Sequence, residues 1–338
     1  MKTPAHSADS EFSYIQWLRS HLPPASPRLE VGPGDDAAIL RVPQNERLCL
    51  KVDSVLEGKH FYFKGAKTDP KLGPPATPEE AGRKALCRPL SDIAAMGGVP
   101  LAALAAVALP VGAGAKVREG LFFGLAKACA TYGVTLAGGD TQSWEGPLML
   151  SVSLVGEMQN ERPAIRAGAA IGDVIAVTGS LGGSILGHHL RFEPRLSEGR
   201  FLCKNGVSAM IDLSDGLSGD LQHVLEESSR RAPLGADIVA EAVPVSKAAR
   251  RLTQMEGAGE GTAAERALEH ALHDGEDFEL LFTVPSFKWK RIVAEWPFDT
   301  PLHALGVIRA QNKGQPPIRL LKKGEPETLE VHSYVHKL

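Results

Sequence analysis

Short apolar runs in this chain repeatedly end on an aspartate, beside a glycine or at what reads as a strand end. They are Gly34-Asp35-Asp36, Val52-Asp53-Ser54, Leu90-Ser91-Asp92, Gly138-Gly139-Asp140-Thr141 and Asp212-Leu213-Ser214-Asp215-Gly216, with Gly275-Glu276-Asp277 further on. One Gly-Asp pair is ordinarily a turn. The repetition asks for a fold with many short strands that stop near loops. Two carboxylates about 4 Å apart repel by about 4 kcal/mol at an effective dielectric near 20. Converging aspartates are therefore tolerated only with bound cations or with raised pKa values. Hard oxygen ligands select Mg²⁺ or Ca²⁺, and Mg²⁺ commonly joins carboxylates to substrate phosphates. An all-aspartate set among glycine-rich loops points to metal-assisted phosphoryl transfer from a nucleotide. The segment Asp215–Asp220 also reads as ordinary helix N-capping, with Ser214 or Asp215 as the cap.

Around these sites the pattern mixes strands and helices throughout. Apolar residues 12, 15, 18 and 22 share a helical face. Strands are expected at 36–42, 47–52, 101–109, 135–137, 148–156, 173–178, 209–213, 236–239, 278–284 and from 305 on. Helices are expected at 79–96, 116–132, 184–190, 219–231 and 246–255. The pattern breaks around 159–168, which places a domain boundary there. The expected fold is α+β with two domains. Residues 1–160 would form a mixed-sheet domain that binds metal and nucleotide and dimerises, and residues 161–338 an α/β sandwich-like domain that completes a cleft. The Lys64–Pro78 stretch reads as an exposed loop, and 257–261 as a flexible Gly/Glu stretch. Backbone N–H groups of Gly138-Gly139 and of Thr178-Gly-Ser-Leu-Gly-Gly-Ser184 could cradle phosphate, or the glycines could serve packing.

Several classes are excluded. Lys and Arg number 37 against 40 Asp and Glu, a formal charge of −3, so no broad basic face for nucleic acid is expected. The longest apolar run, 99–111, is interrupted by Pro100 and Pro110 and is too short to span a bilayer. The first residues lack the apolar core of a secretory signal, and the four cysteines form no CxxC pair. A cytoplasmic protein with reduced thiols is expected. There is no GxxxxGK[ST], GxGxxG, HExxH or GxSxG motif. His188-His189 reads as a solvated helix face, and His332 with His336 lacks a carboxylate partner. His60 could be a packed histidine and Arg166 a surface charge.

The ordered motifs resemble the thiamine-monophosphate kinase family, in the superfamily of aminoimidazole ribonucleotide synthetase and selenophosphate synthetase. The matching stretches are Gly32–Leu40, Asp53–Phe61, Lys84–Leu86, Leu90–Gly98, Gly138–Thr141, Arg166–Gly168, Gly172–Gly179, Ile211–Leu217 and Gly275–Leu280. The Glu-Gly-x-His-Phe and Gly-Glu-Asp-Phe-Glu-Leu elements favour this branch. The resemblance implies a homodimer that uses ATP and several Mg²⁺ ions to convert thiamine monophosphate to thiamine diphosphate. By position it implies Asp35, Asp53, Asp92, Asp140, Asp212 and Asp215 as metal ligands. It implies Gly139, Asp140, Arg166 and Ser214 at ATP, and His60, Asp277 and Tyr334 at thiamine monophosphate. Transfer would be direct and in line. The acceptor phosphate is already largely ionised, with a second pKa near 6, so no general base is needed. The chain departs from the family at Val52, where a hydroxyl residue is usual, at Pro89, and in the longer 64–78 loop. Those departures leave room for another ATP-dependent synthetase of the superfamily, or for a non-catalytic Mg-nucleotide-binding dimer.

Overall fold

A computed structural model describes residues 28–31, 35–42, 46–65, 73–159, 162–229 and 232–332. The helix expected at residues 12–22, Tyr334, His336 and residues 66–72 of the 64–78 loop lie outside the described residues.

The first half of the chain builds a six-stranded sheet from β1 (Leu29–Val31), β2 (Ala38–Arg41), β3 (Arg47–Leu56), β4 (Val99–Pro110), β5 (Thr135–Trp144) and β6 (Met149–Glu157). The strand order is β1-β2-β3-β6-β4-β5, antiparallel except for β4 beside β5. Two helices, α1 (Pro78–Met96) and α2 (Ala115–Tyr132), lie between these strands in the chain. β3 shows why one face of the sheet is inward. Cys49 and Val55 are buried, whereas Leu50 and Val52 alternate outward and Val52 is 60% exposed.

The second half builds a seven-stranded sheet from β7 (Asp173–Thr178), β8 (Ala209–Asp212), β9 (Leu234–Val239), β10 (Leu280–Pro285), β11 (Leu302–Ala310), β12 (Ile318–Lys322) and β13 (Glu325–Thr328). Its order is β13-β12-β9-β11-β7-β10-β8, and only β9 and β12 run parallel. The helices are α3 (His188–Arg191), α4 (Leu196–Lys204), α5 (Leu217–Ser228), α6 (Lys247–Glu256), α7 (Ala263–His273) and α8 (Ser286–Glu295). The break expected near 159–168 falls between β6 and β7. Mixed sheets carrying helices agree with the α+β expectation.

α1 holds the two halves together. Thr77 caps it in a reciprocal capping box with Glu80, Pro78 opens it, and Gly97 ends it at φ 74°. Leu86, Leu90, Ile93 and Met96 belong to the core of the first half. Ala94 and Ala95, on another side of α1, pack with Leu202, Met210, Leu280 and Phe282 of the second. Pro89 lies inside α1 without ending it.

Several local expectations need correction. The strand expected at 135–137 runs on through Gly138, Gly139 and Asp140 to Trp144, so that glycine pair is strand and not loop. The helix expected at 184–190 splits into a 3₁₀ turn, Ser184–Leu186, and the single turn α3, because Gly187 sits at φ 122°. α4, α7 and α8 were not anticipated. α7 starts from a Thr262–Glu265 capping box directly after the glycine-rich 257–261 stretch. No helix among the described residues is long and apolar enough to cross a membrane. None of Cys49, Cys87, Cys129 and Cys203 is in a disulfide.

Candidate active site

Three elements converge at one end of α1. Asp36 stands just before β2, Asp92 is in the last turns of α1, and Asp212 ends β8. One carboxylate oxygen of each lies within 4.8 Å of the others, and all three residues are buried. Each has one partner. Arg166 Nη2 donates to Asp36 Oδ1 at 2.7 Å, Lys51 Nζ to Asp92 Oδ1 at 2.7 Å, and Ser91 Oγ to Asp212 Oδ2 at 2.6 Å. Burial, with Asp36 nearby, pushes the Asp212 carboxyl up to about 6. Within this cluster two buried atoms, Asp36 Oδ2 and Arg166 Nε, have no hydrogen-bond partner among the described residues. An orphaned carboxylate oxygen inside a triad of buried acids is costly in an empty site. The donor set, all carboxylate oxygen, fits a hard divalent cation such as Mg²⁺. Arg166 is thus a half-buried member of the cluster and not a surface charge.

A second network joins this cluster to the far half of the chain. Arg88 Nε reaches Asp53 Oδ2 at 3.0 Å, and its Nη1 reaches Glu276 Oε1 at 2.9 Å. Lys84, whose side chain is wholly buried, donates to Glu276 Oε2 and to the His60 carbonyl, both at 2.8 Å. Burial pushes the Asp53 and Glu276 carboxyls up, but the paired cations outweigh it and hold both below their usual range. His60 Nδ1 accepts the Leu56 N–H at 3.0 Å, and burial drops its imidazole to about 3, so the ring is neutral.

Beyond Glu276 the chain turns to Asp277. Its carboxylate accepts the Gly182 N–H at 2.9 Å and the Ser184 hydroxyl. Burial pushes it up to about 8. A cavity of about 470 Å³ opens there, lined by residues that include Asp277, Ser184, Ser246, Lys247, Arg195 and Thr300. The Gly182 and Gly183 N–H groups, expected to cradle phosphate, donate instead to Asp277 and Asp274. His189, expected on a solvated face, is buried, with Nδ1 on the Ser184 carbonyl at 2.8 Å.

Other expected positions lie apart from the triad. The Asp35 carboxylate accepts the Arg166 backbone N–H at 3.1 Å, and burial beside Asp36 raises it to about 7. Asp140 is exposed on the edge strand β5 and accepts Gln142 Nε2 at 3.0 Å. The register aligns it with Ala106, Ser151 and Ser54, on the sheet face opposite Asp53. Gly139 lies so close to β4 that a Cβ would stand 2.0 Å from the Ala105 carbonyl oxygen. Val52 points to the outer face, away from the triad. Neither Ser214 nor Asp215 caps α5. Gly216 holds that position at φ 103°, while the Asp215 N–H donates to Asp220 Oδ2 at 3.1 Å. The Ser214 carbonyl accepts the Glu276 N–H at 2.8 Å. The sequence reading missed Asp36, Lys51, Lys84, Arg88, Ser91 and Glu276. Asp36, Lys84, Ser91 and Glu276 sit in stretches already singled out, whereas Lys51 and Arg88 carried no signal of their own.

Comparison with known proteins gives a consistent result. Residues 34–158 match the family model for the AIR synthase related protein, N-terminal domain. The thiamine-monophosphate kinase of Rhodopirellula baltica is 37% identical over 81% of this chain and 82% of its own length. That of Escherichia coli K12 is 32% identical over 97% of this chain and 98% of its own. A solved structure of AaThiL complexed with AMPPCP and TMP superposes with a TM-score of 0.77 at 26% identity, covering 97% of both chains.

Proposed function

The chain belongs to the thiamine-monophosphate kinase family, a family of phosphotransferases, and from that membership we propose how its own residues perform the transfer. The reaction moves the γ-phosphoryl group of ATP onto the phosphate of thiamine monophosphate. Both reactants are polyanions, so the barrier is chiefly repulsion and alignment. Mg²⁺, when bound, supplies charge neutralisation and a template for in-line attack. Asp36, Asp92 and Asp212 would hold it, with Asp53 alongside and Asp35 and Asp215 at the rim. Arg166 would add positive charge at the nucleotide, next to Ser214. His60 is neutral and fixed by Leu56, suited to hydrogen-bonding the acceptor and not to taking a proton. Asp277, with its pKa near 8, would carry a proton at neutral pH in an empty site and could donate to the heteroaromatic end of the substrate. The cavity beside it is a place for that end, and Tyr334, outside the described residues, is a further candidate substrate contact.

Asp140 belongs in this reading to the outer sheet face, as a nucleotide group on a surface that a second copy would cover, while Gly139, in register with Ala105 and Asp53, would meet the nucleotide from the inward face. Leu50, Val52 and Leu104 are exposed on that face, Leu104 by 53%. A homodimer formed there, a chain of two domains divided at 160/161, a cytoplasmic location and several Mg²⁺ ions complete the proposal. The observation that carries it is the buried triad Asp36, Asp92 and Asp212 with its orphaned oxygen.

The test measures thiamine diphosphate formed from thiamine monophosphate, ATP and Mg²⁺, with EDTA and free thiamine as controls. Product that depends on metal and on the monophosphate is expected. ATP binding without product would overturn the assignment in favour of another acceptor or a non-catalytic dimer.

A further inference from the structure

Lys51 is a cation of the acidic cluster that the proposed chemistry leaves without a task. It lies on the inward face of β3, two residues before Asp53, and its Nζ stands 2.7 Å from Asp92 Oδ1. Its side chain is 24% exposed and that of Asp92 10% exposed, so the pair borders the opening of the site and is not sealed in the core. Asp53 and Asp212 are also close enough to act electrostatically on the ammonium. The other two acids of the triad lean on different groups, Asp36 on Arg166 and Asp212 on the neutral Ser91 hydroxyl. Four carboxylates, Asp36, Asp53, Asp92 and Asp212, therefore face three fixed cations, Lys51, Arg88 and Arg166. One formal negative charge remains.

We propose that the Lys51 ammonium is a built-in counter-ion of Asp92 that stands in for one divalent cation, so that the loaded site holds one ion fewer than it would with a neutral side chain there. The physical argument concerns charge and geometry together. A compact ammonium is a point charge with three donors, and it can sit beside a carboxylate much as a metal ion does. A divalent ion placed at the same carboxylate would feel the ammonium as a like charge at close range, in surroundings that screen poorly. Arg88 and Arg166 cannot fill this role for Asp92, since each is committed elsewhere. A fixed cation also offsets the mutual repulsion of these carboxylates when no metal is bound. The inference rests on the phosphotransferase reading only in taking the triad for a cation site.

The test counts ions on the purified full chain by titration calorimetry with Mg²⁺, alone and with AMPPCP. Lys51→Met, which keeps length and loses charge, is compared with wild type and with Lys51→Arg. The expected result is one additional Mg²⁺ per chain in the presence of AMPPCP for Lys51→Met. Mg²⁺ should bind that variant at least tenfold more tightly than wild type, and Lys51→Arg should match wild type. Equal counts, with affinities within twofold, would overturn the proposal, as would Lys51→Arg behaving like Lys51→Met. Thermal unfolding in EDTA and in Mg²⁺ covers a variant that folds poorly. Stability lost in EDTA and regained in Mg²⁺ supports replacement of one cation by another, and a chain unfolded in both contradicts it. Wild-type protein that makes thiamine diphosphate while the counts stay equal would refute Lys51 alone. An extra ion in the variant with no kinase product would refute the kinase reading alone.

Discussion

At Asp212 one carboxylate oxygen accepts the Ser91 hydroxyl and the whole group is buried. Asp212→Asn keeps the volume and removes the charge. The variant is expected to fold, to lose kcat on the order of 10²–10³-fold, the scale seen when one preorganised electrostatic group is removed, and to bind Mg²⁺ more weakly. A folded variant with wild-type kcat and Mg²⁺ affinity would remove Asp212 from the site. His270 offers a separate pH test. It sits 3.1 Å from both Asp274 and Glu256, and the Asp274 hydrogen bond, the largest influence, raises it to about 9. The folded value exceeds the unfolded value near 6.5. Its stabilisation is therefore complete below about pH 6.5 and lost as pH rises through about 9. Exposure limits it to about 1 kcal/mol. His270→Gln should flatten the fall in melting temperature over that window, and an unchanged slope would exclude the pair. The residue scale is also where the sequence was least legible. Of the adjacent acids Asp35 and Asp36, composition cannot say which turns inward, because that depends on where β2 begins. Lys51 and Arg88 look like any other cations until β3, α1 and the Glu276 turn are brought together.

Among elements, α1 and α2 meet at unusually close range. A Cβ at Gly82 would stand 2.1 Å from the Leu121 carbonyl oxygen, and one at Gly124 would stand 1.9 Å from that of Glu79. Gly124→Ala should cost about 2–3 kcal/mol by forcing the helices apart, read as a lower midpoint in thermal or urea unfolding. A midpoint within error of wild type would show that the contact yields freely. Element types were largely legible where local rules agreed. The α1 helix ended at Gly97 as its glycine pair suggested, and β7 fell on 173–178. The failures share a cause. Glycine-rich segments admit either a phosphate cradle or close packing, and the sequence does not choose between them. The structure spends the Gly182 and Gly183 N–H groups on the chain's own carboxylates and continues β5 straight through Gly138 and Gly139. Those outcomes are set by partners far away in the chain.

For the molecule as a whole, the uncovered apolar face of the first sheet predicts association. Leu104→Asp places a charge among Leu50, Val52 and Ala106 on that face. It should turn a dimer into a monomer in sedimentation velocity at micromolar concentration, with helix content unchanged. A wild-type chain that already sediments as a monomer would refute the assigned face. The overall architecture was legible because alternation of strand and helix fixes layers, and the break near 159–168 separates two sheets. How the layers share a helix was not legible, since that requires knowing which sides of α1 are covered.

The shared helix has a consequence for cutting the chain. Severed at the junction, the first half would keep Lys84 and Arg88 without Glu276, and Ser91 without Asp212, while Ala94 and Ala95 would lose their apolar cover. The second half would keep a carboxylate with no counter-charge where Glu276 sits. Each fragment would lose the ion pairs of Lys84 and Arg88 with Glu276 and the apolar cover made across the junction. The two sheets are therefore expected to melt in one transition, and the fragments to regain solubility only when expressed together.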